Sequence, residues 1–413
     1  MFLSDIKKLD QQYIAGTYAR QELLVQQGTG AILSDGTGRE FVDFSSGIGV
    51  NSLGLSDPQW VAAIKEQLDM LNHTSNLYYT EPQVKLAKAL CERTGMKRVF
   101  FANSGAEANE GAIKTARKYS SDKYGAGRHE IITLVNSFHG RTMATLAATG
   151  QDVFHQHFGP FPQGFIYVTP NDLADLAAKV SDKTCAIFIE CIQGEGGVVP
   201  LEESFLREIQ AICATQDILL MVDEVQTGVG RTGKFLCCEH FGLQPDVITL
   251  AKGLGGGLPV GAVLFGEKTR DTLTAGTHGS TFGGNPIVCA GAYQVLRSVD
   301  GKLLDDVTEK GAYIGEKVLR FPGVTSVSGR GLMLGIALKD DFTAPEIVKL
   351  CIEQGLVLLT AKTKLRMLPP LTISYAEIDK GLAILKKVLT DWQAQIDNKE
   401  KLAWQAHVKE KLQ

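Results

Sequence analysis

The chain has 413 residues, enough for about two to three domains around a large core. Hydrophobic residues make up 44% and charged ones 21%, as in an ordinary globular protein, and a net charge of −4 gives no argument for nucleic-acid binding. No apolar run is long enough to span a bilayer, and the opening stretch, with Asp5, Lys7, Lys8 and Asp10, lacks the apolar centre of a secretory leader.

Residues 1–56 read as the first part of a small domain, in which Ala31 to Asp43 forms a hairpin with Asp35-Gly36 as its turn. Residues 57–300 alternate helix and strand. Helices are expected at 57–71, 82–93, 106–120 and 203–215, and strands at 98–102, 131–135, 165–168, 185–190, 218–222, 247–250 and 260–265. This is the pattern of a doubly wound α/β layer of about seven mostly parallel strands. Only nine residues, 251–259, separate the last two strands, too few for a parallel crossover, so the last is expected to run antiparallel. Residues 301–396 read as a smaller α+β domain: a helix, a glycine-punctuated strand segment at 329–338, a second helix, and a last helix from 376 to about 396. A charged extension, 397–413, follows. The eight cysteines include no C-x-x-C pair, and Cys237-Cys238 are adjacent, so free thiols in a reducing cytoplasm are expected, with no metal site.

Two residues carry most of the chemistry. Asp223 and Lys252 each follow a short apolar run, Ile218 to Val222 and Val247 to Leu250, and so stand at the carboxyl ends of strands, where open α/β sheets bind ligands. An acid and a lysine there suit pyridoxal phosphate: the lysine bonds to the cofactor's aldehyde carbon, and the acid keeps the ring nitrogen protonated. Either residue alone is also an ordinary polar group at a strand end. Asn103-Ser104-Gly105-Ala106 leads from a strand into a helix and leaves backbone N–H groups open to a phosphate. Ser280 to Pro286 is a second small-residue loop, equally readable as a plain turn. In Ser137-Phe138-His139-Gly140-Arg141, the aromatic can stack on a flat ring and the arginine can grip a carboxylate; His139 in a tight turn reads as structural. Glu190 closes a strand before the Gly-rich Gly194 to Gly197, and Arg366 sits in an apolar stretch that calls for an anionic partner. Gly228 to Lys234 fits the G-x-x-x-x-G-K phosphate loop, but Phe235 stands where Mg²⁺ needs a hydroxyl and no helix start follows.

Taken together, Ser-Gly-Ala-Glu-Ala-Asn at 104–109, Ser-Phe-His-Gly-Arg-Thr at 137–142, Ile-Gln-Gly-Glu-Gly-Gly at 192–197, Asp-Glu-Val-Gln-Thr-Gly at 223–228, Ala-Lys-Gly-Leu-Gly-Gly-Gly at 251–257 and Ser-Thr-Phe-Gly-Gly-Asn at 280–285 resemble the class III pyridoxal-phosphate aminotransferases, in the family's order along nearly the whole chain. The resemblance implies the aspartate-aminotransferase fold (fold type I) and a homodimer. It implies that Lys252 anchors the cofactor and shuttles protons, that Asp223 pairs with the ring nitrogen, and that Phe138 stacks on the ring. Gly105 and Ala106 are implied to hold the phosphate, Gln226 to approach the ring hydroxyl with Glu224 and Val225 beside it, and Thr281 to reach the other subunit's cofactor. Arg141 and Ser280 are implied to contact substrate, and Glu190 to act as a switch that pairs with Arg366 for the amine donor and releases it for 2-oxoglutarate. Gly47 to Asn51 and His73 to Tyr79 narrow the implied donor to the δ-amine of N-acetylornithine, with succinylornithine, succinyldiaminopimelate and ornithine as alternatives. Two features depart from the family pattern: Gly54-Leu55-Ser56-Asp57-Pro58, where many relatives have Gly-His-x-x-Pro, and the extension from Asp397.

Overall fold

The computed structural model describes residues 2–411, without the side chains of residue 400 and residues 405–411. Its centre is a seven-stranded sheet in the spatial order Arg98–Ala102, Gly261–Phe265, Val247–Leu250, Leu219–Asp223, Thr184–Ile189, Glu130–Leu134, Phe165–Val168. Gly261–Phe265 runs antiparallel to both its neighbours, as the short connection before it requires, and all other pairings are parallel.

The apolar runs have a direct cause. Thr184–Ile189 and Leu219–Asp223 are buried at every position, because successive side chains point into two different apolar layers. Ile187, Ile189, Leu220 and Val222 face a layer that includes Phe205, Leu206 and Ile209 of helix Glu203–Gln216. Ala186, Phe188, Leu219 and Met221 face the other layer, with Ala108, Ala112 and Ala116 of helix Gly105–Tyr124. The small alanines let that helix lie close on the sheet. The strand expected at 218–222 begins one residue later, because the Ile218 N–H still closes the preceding helix onto Cys213 O. Asp223 is therefore the last residue of its strand.

The smaller part joins both ends of the chain. Ile32–Ser34 and Glu40–Asp43 form the expected hairpin, and Leu356–Val357 pairs in parallel with Glu40–Asp43. A second sheet is antiparallel, in the order Val324–Arg330, Met333–Leu338, Lys364–Met367, Leu359–Ala361. The segment expected as one strand at 329–338 is thus two strands reversing at Gly331, whose φ of 55° suits glycine. Lys364–Met367, which carries Arg366, escaped sequence reading. The last helix is Tyr375–Lys411, not ending near 396; the final two residues of the extension lie outside the described residues. No helix among the described residues is long and apolar enough to cross a membrane.

The phosphate-loop look-alike is a strut. The buried Arg231 guanidinium donates to Leu332 O at 3.0 Å and to Pro369 O, tying the large layer to the small one. Burial lowers its pKa to about 9.

Candidate active site

The carboxyl edge of the parallel strands opens into a cavity of about 470 Å³, whose lining includes Lys252, Asp223, Phe138, Arg141, Glu190 and Gln226. Asp223 is only 3% exposed, and its carboxylate accepts three hydrogen bonds. Oδ2 accepts from Asn109 Nδ2 and from His139 Nδ1, both at 2.8 Å, and Oδ1 accepts from the Val225 N–H at 2.9 Å. His139 stacks on Phe188 with ring centroids 4.2 Å apart, so its ring is fixed on one side by packing and at Nδ1 by the acid. Its Nε2 and Asn109 Oδ1 are buried without a partner. Three donors converging on this one side chain fix its orientation at the cavity wall.

Lys252 begins a short 3₁₀ turn, Lys252–Leu254, immediately after the strand Val247–Leu250 and Ala251. Its φ is 41°, a left-handed conformation that costs a non-glycine residue about 1–2 kcal/mol. Burial lowers its pKa below the usual lysine value, and Arg366 adds to the effect, against the carboxylates of Glu195, Asp223 and Glu190. Among the described residues no hydrogen bond or ion pair holds its ammonium group. A lysine so placed gives up a proton more readily than one in water.

The start of helix Gly105–Tyr124 offers a cradle for an anion. Ser104 caps it by accepting from the Glu107 N–H, which leaves the Gly105 and Ala106 N–H groups without helical partners and facing the cavity. Gly105 is required by packing: a Cβ there would sit 2.7 Å from Val225 Cγ1. Gly261 is required for the same reason, since its Cβ would lie 2.2 Å from Ser104 O.

The pairing expected between Glu190 and Arg366 does not form. Arg366 Nη1 binds Glu195 Oε1 at 2.6 Å and Gln226 Oε1 at 3.3 Å, and its Nε is buried without a partner. Burial would raise the Glu195 pKa, but Arg366, Lys252 and Gln226 together outweigh it and the pKa lies below the usual value. Glu190, 5% exposed, turns the other way: it accepts from the Phe138 N–H at 3.0 Å and the Gly194 N–H at 3.2 Å. Burial pushes its pKa up to about 7. The cause is chain direction. Glu190 directly follows the strand ending at Ile189 and faces the Phe138 loop, whereas Glu195 lies beyond the Gly194 turn, on the side of Arg366.

Other expected site residues divide. Gly105, Ala106, Val225 and Gln226 line the cavity with Phe138 and Asp223. Glu224 does not: its side chain is fully buried beneath the site, accepting from Thr227 Oγ1 and, at 2.8 Å, from the Cys238 N–H. Ser280 and Thr281 stand outside the cavity, in a separate recess beside Asn103 and His278, with Ser280 Oγ accepting from Asn103 Nδ2. Asn109 and Glu195 were overlooked in the sequence. Asn109 lies one turn along from Gly105 on the face toward the sheet, and Glu195 is the only acid inside the glycine-rich turn.

Burial also raises the Glu224 pKa to about 7. A carboxyl raised above its unfolded value adds stability below about pH 4.5, and that stability is lost as pH rises toward 7. Glu224→Gln should therefore flatten the fall in melting temperature between those two pH values. An unchanged slope would show that Glu224 titrates as in the unfolded chain.

A family model, aminotransferase class III, matches residues 13–389. The chain belongs to the class III aminotransferases. It is 52% identical over 392 residues to the acetylornithine aminotransferase of Haemophilus ducreyi, covering 95% of this chain and all of that one. The crystal structure of N-acetylornithine aminotransferase from Stenotrophomonas maltophilia superposes with a TM-score of 0.81 at 36% identity, over 94% of this chain and 99% of that one. The ornithine aminotransferase of Toxoplasma gondii, in a structure with partial occupancy of pyridoxal phosphate at its active site, superposes with a TM-score of 0.90 at 31% identity, over 95% of both chains. The fold-type-I architecture expected from the sequence is the one found. The residues here fit that cofactor: free amides at the start of a 20-residue helix for a phosphate, the aromatic Phe138 and the branched Val225 for a flat ring, an oriented acid for a ring nitrogen, and an unpaired lysine amine.

Proposed function

We propose that this class III enzyme uses pyridoxal phosphate to transfer the δ-amino group of N2-acetyl-L-ornithine to 2-oxoglutarate, giving N-acetylglutamate semialdehyde and glutamate, a step of arginine biosynthesis. The observation that carries this reading is the convergence of Lys252, Asp223 and the Gly105 and Ala106 amides on one cavity, in a chain 52% identical to an acetylornithine aminotransferase. The Gly105 and Ala106 N–H groups would hold the cofactor's phosphate, Asp223 its ring nitrogen, Phe138 and Val225 its ring, and Gln226 its ring hydroxyl.

When bound, pyridoxal phosphate supplies an electron sink for the charge left at the substrate carbon that loses a proton. Lys252, with its lowered pKa, takes that proton and returns it during the exchange. Arg141 grips the carboxylate remote from the reacting amine. Glu195 neutralises Arg366 while the amine donor, which has no carboxylate at its reacting end, occupies the site, and releases it to bind a carboxylate of 2-oxoglutarate. This arrangement lets one pocket accept two substrates of different charge.

The proposal includes a cytoplasmic homodimer in which Thr281, outside its own cavity, serves the partner subunit's cofactor. It also includes a large domain at 57–300, a small domain built from 1–56 and 301–396, and an extension from 397.

The test is the absorption spectrum of the protein loaded with pyridoxal phosphate. N-acetylornithine should bleach the visible band of the bound cofactor and 2-oxoglutarate should restore it. A band indifferent to N-acetylornithine but bleached by succinylornithine, succinyldiaminopimelate or ornithine would overturn the acetylated donor. No band at all would overturn the cofactor assignment.

A further inference from the structure

Arg141 stands at the cavity mouth, exposed, and among the described residues no carboxylate and no hydrogen-bond acceptor pairs with it. It is held by aromatic faces instead. Its Cζ lies over the Phe154 ring, 4.0 Å from the centroid, and 5.5 Å from the centroid of Phe138. The two rings pack edge to face, 5.9 Å apart at 78°. Phe154 lies in the short turn Asp152–Phe154, whose place is fixed from below. The Phe154 N–H donates to Gln151 O at 3.0 Å, and the buried Gln151 side chain donates to Ser137 O at 3.0 Å, next to Phe138. One anchor therefore sets the spacing between the two rings.

This geometry matters for what Arg141 can do. A guanidinium carries its N–H donors around its edge, while its faces are open to stacking. An acidic neighbour would hold the side chain but occupy those donors and cancel the charge. A ring against the face holds it by cation–π attraction and leaves the edge free for a bidentate carboxylate. The ring also costs the incoming anion no competition.

We infer that Phe154 is a positioning residue that fixes Arg141, and through it the preference of the site for substrates bearing a carboxylate remote from the reacting group. The inference rests on the proposed role of Arg141. It assigns to a residue of the 152–154 turn a part in specificity without contact with the reacting atoms.

The experiment uses single-turnover bleaching of the loaded enzyme with two amines: N-acetylornithine and N-acetylputrescine, the same molecule without its carboxylate. Phe154→Leu, which keeps apolar bulk but removes the ring face, should raise the half-saturating concentration of N-acetylornithine about fivefold, the size expected for loss of a partly exposed cation–π contact. The limiting rate should stay unchanged, as should both constants for N-acetylputrescine. 2-Oxoglutarate should weaken in the same proportion as N-acetylornithine. Phe154→Tyr, which retains the face, should restore the original values. Arg141→Met separates the two readings. If it erases the discrimination between the amines while Phe154→Leu leaves discrimination intact, the Phe154 inference is overturned and the Arg141 role stands. If Arg141→Met leaves discrimination intact, the role of Arg141 falls, and the inference with it. A fall in the limiting rate with both amines would show general disturbance of the Phe138 loop, which also overturns the inference.

Discussion

Lys252→Ala should abolish turnover, lowering it at least about ten-thousandfold, while the protein still folds and retains part of its cofactor. The size of the effect follows from the inventory of the cavity. Lys252 is the only lysine among its lining residues. Arg141 cannot lose its proton at ordinary pH, and His139 is turned toward Asp223, with its ring stacked on Phe188. Glu190 and Glu195 also line the cavity, but Glu190 is held by the Phe138 and Gly194 N–H groups and Glu195 by Arg366, so neither is free to take over proton transfer, which alone contributes about 10²–10⁴ to the rate, and loss of the covalent anchor adds to that. The fold should survive because alanine meets the same φ of 41° at no greater cost than lysine, and among the described residues the Lys252 side chain makes no hydrogen bond to lose. The other proposed holders, Asp223, Phe138 and the Gly105 and Ala106 amides, are untouched. A steady-state assay, together with the cofactor content of the denatured protein, checks both halves. Undiminished turnover would refute the assignment of Lys252.

The parts of this fold legible in the sequence are those whose cause is local or strictly periodic. Strands buried on both faces must be apolar throughout, so Thr184–Ile189 and Val247–Leu250 stand out as unbroken runs. Ser104 and the small residues after it mark the helix start that becomes the cradle. The reversed strand Gly261–Phe265 was legible from the length of its connection. What stayed hidden depends on partners far away in the chain. Lys364–Met367 is four residues long and pairs on one side with Met333–Leu338, some thirty residues earlier; on the other side it pairs with Leu359–Ala361 across Lys362-Thr363, a turn without the usual Gly or Asn signal. The choice between Glu190 and Glu195 turned on a reversal at Gly194 that spacing alone does not orient. Sequence could say that Arg366 needs an anion; only the sheet decides which one reaches it. Glu224 failed differently, because a residue adjacent to Asp223 on an extended backbone faces the opposite side of the sheet.

Asp223→Asn should reduce the limiting rate of the half-reaction with N-acetylornithine by about a hundred- to a thousandfold, the range for loss of one oriented group that stabilises charge in an enclosed site. The substitution is nearly isosteric, so the question is whether it tests charge or merely damages packing. Asp223 accepts from three donors: Asn109 Nδ2, His139 Nδ1 and the Val225 N–H. An asparagine can keep one oxygen toward Val225 but turns an N–H₂ toward the other two. His139 can answer by moving its proton to Nε2, which has no partner, so that Nδ1 becomes an acceptor. The network then loses one hydrogen bond, that to Asn109, at a cost of about 1 kcal/mol. Stability should therefore change little while the negative charge is gone. That separation makes the experiment decisive: a large loss of rate with a nearly constant melting temperature assigns Asp223 to holding a proton on the ring nitrogen. A rate that survives the substitution would leave Asp223 as an ordinary polar residue at a strand end, and would require another group to keep that nitrogen charged.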